Sequence, residues 1–89
     1  MKHASAETLS QLEPLLAHIR SIDSLSERKP GIFYRGSSAF LHFHEDADGL
    51  FADVKLSGKH FERMAVSTER QRRDFIHAVL KCFAASSRG

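Results

Sequence analysis

Between Thr8 and Leu25 the apolar residues Leu9, Leu12, Leu16, Ile19 and Ile22 recur at steps of three and four. They therefore share one stripe of an amphipathic helix, expected over about residues 9–25. Ser10-Gln11-Leu12-Glu13 reads as a capping box, and Pro14 is tolerated only in a first turn, so both place the helix start near Ser10. Residues 26–31 are polar and close on Pro30-Gly31, which reads as a connection that cannot continue as helix.

From Gly31 onward the period changes to two. Alternating segments at about 31–35, 39–44, 50–56 and 60–66 are separated by the turn clusters Gly36-Ser37-Ser38, Asp46-Ala47-Asp48-Gly49 and Ser57-Gly58-Lys59. The fourth segment alternates least well, because Phe61, Met64 and Val66 break step, and a bulge near Arg63 would repair it. A closing helix over about 68–85 opens with Thr68-Glu69-Arg70-Gln71, a T-x-x-Q capping box, and gathers Phe75, Ile76, Val79, Leu80 and Phe83 on one face. The tail 86–89 is expected to fray. The pattern thus predicts an α+β fold: helix, four-stranded antiparallel meander, helix, in one domain, as a two-layer sandwich with both helices on one face of the sheet.

Pairing His44 with Phe51 and His42 with Asp53 across the Asp46–Gly49 turn sorts the strands into two faces. One carries Ile32, Tyr34, Leu41, Phe43, Ala52, Val54 and Leu56 and is apolar throughout, suited to receive both helices. The other is assigned Phe33, Arg35, Phe40, His42, His44, Phe51, Asp53 and Lys55, a mixture of aromatic rings, imidazoles and both charge signs. A solvated sheet face would be dominated by Thr, Ser, Lys and Glu, so this one invites a covering partner. The first expectation is a non-enzymatic binding or self-association module, a homodimer through that face.

Composition narrows the classes. With 42% hydrophobic and 27% charged residues the chain is an ordinary globular one, and at 89 residues its core is thin enough for dimerisation to help it. No apolar run approaches a membrane span, and the N-terminal residues lack the apolar stretch of a secretory signal, so a cytoplasmic location is expected. The single cysteine, Cys82, excludes an intrachain disulfide and sits among Leu80, Phe83 and Ala84, as a buried structural thiol would.

His42-Phe43-His44 supplies the sharpest chemistry. Two imidazoles two apart on a strand lie on one side, about 6.6–7 Å apart at the backbone, close enough to chelate one ion. With Asp53 opposite, the set His42, His44 and Asp53 suits zinc, nickel or iron and is the metal alternative, whether as a binding protein or a metal-dependent enzyme. Gly36 followed after five residues by His42-x-His44 is similar to the first motif of the cupin metal enzymes. Asp48 stands roughly where the cupin glutamate would be, but the motif's glycine further on and the later motif with the third histidine are both missing. Asp46-Ala47-Asp48-Gly49 opens like a calcium loop, but Leu50 and the absence of a distal glutamate leave it a hairpin turn. No serine or cysteine is placed with a histidine–aspartate pair, so no catalytic residue is assigned. Arg70, Arg72, Arg73 and Arg28-Lys29, together with the phenylalanines, raise a nucleic-acid alternative. The 11 acidic residues and the absence of an RNA-recognition run weigh against it.

Lys29 to Arg35, His42-Phe43-His44-Glu45-Asp46, Gly49-Leu50-Phe51-Ala52-Asp53-Val54 and Phe61-Glu62-Arg63 together resemble a small family of conserved bacterial proteins without an assigned activity. The resemblance implies a short unit that stands alone. In order of elements the chain is also similar to frataxin-like and YjbR-type small domains, some of which are linked to iron or DNA. That likeness is architectural and implies no residue role.

Overall fold

A computed structural model describes residues 2–87. The chain runs β1 (Lys2–His3), α1 (Ala6–Gln11), α2 (Glu13–Arg20), β2 (Leu25–Lys29), β3 (Ile32–Arg35), β4 (Ser38–Asp46), β5 (Gly49–Val54), β6 (Glu62–Ala65) and α3 (Glu69–Ser87). The fold is α+β with an open antiparallel sheet in the order β2-β3-β4-β5-β6, and β1 pairs onto β4. No described helix is long and apolar enough to cross a membrane.

The expected first helix is two. Ser5, not Ser10, caps α1 by accepting from the Thr8 amide, and the helix breaks at Leu12 so that Pro14 falls in the first turn of α2. A proline inside a continuous helix would remove one hydrogen bond and press against the carbonyl four residues back, and the break at Leu12 avoids both. α2 stops at Arg20, and Leu25 already belongs to a strand.

That strand, β2, replaces the expected polar connection and raises the meander to five strands. It is an edge strand, and its Ser-Glu-Arg-Lys sequence is what a sheet edge tolerates, which is why its apolar period is faint. Pro30 and Gly31 form the two-residue turn into β3, because Lys29 pairs with Ile32. Gly31 takes φ +76°, the left-handed conformation that a proline–glycine turn requires. Glu27 stabilises this corner: one carboxylate oxygen accepts from the Gly31 amide at 2.9 Å and the pair receives Arg20 at 2.7 and 3.2 Å.

The β4–β5 register has the expected pairs, His42 with Asp53 and His44 with Phe51. The β3–β4 register differs. Arg35 pairs with Ser38 and Tyr34 with Ala39, but Phe33 then pairs with Leu41, leaving Phe40 as an extra residue in β4. Such a bulge turns two successive side chains to one side. Phe40 and Leu41 are accordingly both buried, and Phe33 joins them with no exposure. One extra residue exchanges the faces of β3: Phe33 and Phe40, assigned above to the outer surface, are core, while Ile32 and Tyr34, assigned to the core, are only half-buried. Arg35 leaves the outer set too, with its guanidinium 4.6 Å from the ring centre of Phe83 on α3. β6 pairs with β5 in unbroken register, so the bulge expected near Arg63 is absent.

The core gathers Leu12, Leu15, Leu16, Ile19, Phe75 and Val79 from the helices with Phe33, Phe40, Leu41, Phe43, Ala52 and Val54 from the sheet. α3 begins as its capping box requires: Thr68 Oγ1 accepts from the Gln71 amide and Gln71 Oε1 from the Thr68 amide, each at 3.1 Å. Of the tail expected to fray, α3 includes residues up to Ser87, and Arg88 and Gly89 lie outside the described residues. Cys82 is half-buried and its thiol meets the Leu56 carbonyl at 3.4 Å.

Candidate metal centre

β4 is nine residues long and runs on past the start of β3, whose first residue, Ile32, stands opposite His42. The same edge of β4 is then taken by the N-terminal segment. The Gly31 carbonyl accepts from Phe43, the Phe43 carbonyl accepts from Ala4, and His3 pairs with His44. The Ser5 amide donates to the Glu45 carboxylate, which fixes the segment as it turns into α1. Paired residues of neighbouring strands point to the same face, so His3 joins His42 and His44 on the outer side of the sheet.

The three imidazoles form one cluster. A ring nitrogen from each of His3, His42 and His44 lies within 4.8 Å of the others. Ring centroids are 5.1 Å apart for His3 and His44, 5.0 Å for His42 and His44, and 5.9 Å for His3 and His42. His3 is exposed, whereas His42 and His44 are half-buried. The Phe61 ring lies against His42 with centroids 4.6 Å apart and planes tilted by 56°, and it carries the Lys55 ammonium 5.0 Å from its centre. Burial lowers the His42 pKa below its ordinary value, and neighbouring His44 acts in the same direction against the attraction of Asp53. A ring kept neutral in this way retains the lone pair that a metal ion needs.

Asp53 stands beside the cluster. Its Oδ2 is 3.1 Å from His44 Nε2, and Arg63, its partner across the β5–β6 ladder, donates to Oδ1 at 2.9 Å and to Oδ2 at 3.2 Å. The Arg63 guanidinium holds the Asp53 carboxyl below the usual range. His44 Nε2 also lies 2.8 Å from His42 Nδ1, while His44 Nδ1 is buried and has no hydrogen-bond partner among the described residues.

Of the residues singled out from sequence, the structure brings together His42, His44 and Asp53, with Phe51 opposite His44 and Lys55 over Phe61. It removes Phe33, Arg35 and Phe40 to the helix side of the sheet. His3 and Phe61 were missed. Phe61 lies outside the regular strands, and a two-residue strand carries no period by which His3 could be placed. Of the basic residues singled out on α3, Arg72 donates to the Val66 and Ser67 carbonyls at 2.8 and 3.2 Å. A cavity of about 380 Å³ between α2 and α3, lined by Leu12, Leu15 and Ile76 with His18 and His77, includes none of His3, His42 and His44. Comparison of the chain with protein-family models, curated proteins and solved structures gives no match.

Proposed function

We propose that this chain is a metal-binding protein that holds one transition-metal dication on His3, His42 and His44. The observation that carries the reading is the convergence of three ring nitrogens within 4.8 Å on one sheet face, from two strands far apart in sequence. Two nitrogens bound to the same tetrahedral zinc are about 3.4 Å apart, which small rotations of these rings would reach. Three neutral nitrogen donors suit zinc, copper or nickel better than magnesium or calcium, which take oxygen.

Three protein ligands leave a fourth position for water or a small anion, the pattern of ions that do chemistry rather than brace a fold. The exposure of His3 supports access from solvent. The competing self-association reading rested on Phe33, Phe40 and Phe51 as outer-face rings; Phe33 and Phe40 are core residues, and of the three Phe51 alone stays on the histidine face.

Calorimetric titration of the metal-free protein with zinc tests the proposal. One saturable site per chain, abolished by the double substitution His42→Ala/His44→Ala in a folded protein, is expected. No saturable binding of zinc, copper or nickel, or binding that survives the double substitution, overturns it.

A further inference from the structure

The cavity between α2 and α3 lies on the core side of the sheet, away from the outer face with its histidine cluster, and is independent of the metal reading. Its floor is apolar, with Leu12 and Leu15 buried and Ile76 half-buried. Its rim is polar. Glu69, Arg73 and His77 follow at four-residue steps along α3 and so share one helix face, and His18 stands on the α2 side. A volume of about 380 Å³ with an apolar floor and a few converging polar groups has the form of a small-molecule site. The polar groups are also uncommitted. A glutamate and an arginine four apart on a helix can form an ion pair, but Glu69 and Arg73 make none. No hydrogen bond engages the side chain of Arg73, His18 or His77 among the described residues.

We infer that this cavity binds a small organic acid, a monocarboxylate whose apolar body rests on Leu12, Leu15 and Ile76 and whose carboxylate meets Arg73. At about 30 Å³ for each water-sized unit, the volume sets the ligand at roughly ten non-hydrogen atoms. The charge of the lining selects the sign: Arg72 and Arg73 bring two guanidinium groups against the one carboxylate of Glu69. Arg72 donates to the Val66 and Ser67 carbonyls and contributes its charge from where it is held. Arg73 is exposed, and its planar fork can take both oxygens of a carboxylate. The floor gains what the body loses on leaving water. The imidazoles of His18 and His77 add hydrogen-bonding nitrogens at the mouth. An amine of the same shape meets the wrong balance of charge, and a neutral amide forfeits the charge-assisted pair.

Titration of the full chain with phenylacetate at neutral pH, followed in nitrogen-15 correlation spectra, is the test. Saturable shifts are expected at the amides of residues 11–18 and 69–77, which line the cavity. The dissociation constant should be about 1 mM, ordinary for a ligand of this size. Phenylacetamide and phenethylamine keep the ring and change the charge, and each should bind about tenfold more weakly or worse. Arg73→Met alters an exposed position and should lower phenylacetate affinity by about tenfold with zinc binding unchanged. The double substitution His42→Ala/His44→Ala, on the other face of the sheet, should bind phenylacetate as the wild type does. The two control ligands test the charge requirement in the wild-type chain whatever the variants do. No saturable shift up to about 20 mM, or either control binding within about threefold of phenylacetate, overturns the inference. Shifts confined to the histidine face, or Arg73→Met with wild-type affinity, overturn it as well. Each of these results leaves the three-histidine site standing, and a chain that binds phenylacetate but no metal overturns only the metal reading.

Discussion

His3 lies directly across the β1–β4 ladder from His44, so that a residue of the N-terminal segment completes a cluster whose other two members are 39 and 41 positions further along the chain. The pairing makes the N-terminal strand part of the candidate centre as well as part of the sheet.

Removing His3 should therefore act on metal binding more than on folding. His3→Ala leaves two imidazoles and should weaken zinc by at least tenfold, with a thermal unfolding midpoint in the absence of metal close to wild type. For the wild type, zinc at a hundred times its dissociation constant should stabilise the fold by about 2.7 kcal/mol. Equal zinc affinity in wild type and variant would reduce the centre to His42 and His44.

Phe40 provides a sharp test of the bulge in β4. On the regular register its ring would be on the outer face, where truncation costs little, about 0.5 kcal/mol or less. Buried with its ring 5.4 Å from that of Phe83, Phe40→Ala should cost about 3–5 kcal/mol in urea denaturation.

Gly31→Ala should destabilise by about 1–2 kcal/mol, because the turn holds φ at +76°. The added Cβ would also meet a Leu9 methyl at 2.8 Å. Chemical denaturation of the single variant measures this, and an unchanged midpoint would mean that the turn relaxes to another type.

Acid should weaken the β2–β3 corner. The hydrogen bond from Arg20 holds the Glu27 pKa below its ordinary 4.5, against the opposing effect of burial. A carboxylate depressed in the folded state adds stability that is complete above the unfolded value and is lost as pH falls through the folded one. Stability should thus decline as pH drops below about 4.5, and Glu27→Gln should remove part of that slope. Arg20 is well exposed, so the ion pair itself should contribute no more than about 1 kcal/mol at neutral pH. An identical pH profile in the variant would assign the acid loss to other carboxylates.

Where local chemistry suffices, the sequence by itself determined the structure. The Thr68-x-x-Gln71 box starts α3 through reciprocal hydrogen bonds between neighbours. The Asp46–Gly49 turn sets the β4–β5 register, and with it the approach of Asp53 to His42 and His44, because a two-residue turn leaves no freedom in pairing. Two of the three proposed ligands and their carboxylate neighbour were legible for that reason. Only the tertiary structure decided the rest. A single extra residue at Phe40 exchanges the faces of β3, and what drives it is the burial of Phe33, Phe40 and Leu41 together, which no alternation in β3 or β4 records. β2 is stabilised by pairing at a sheet edge rather than by an apolar period of its own. His3 becomes part of a centre because β4 extends past β3 and offers its free edge to whatever segment lies there. Two residues of strand carry no signal, and the hydrogen bonds that place them belong to a partner about forty positions away.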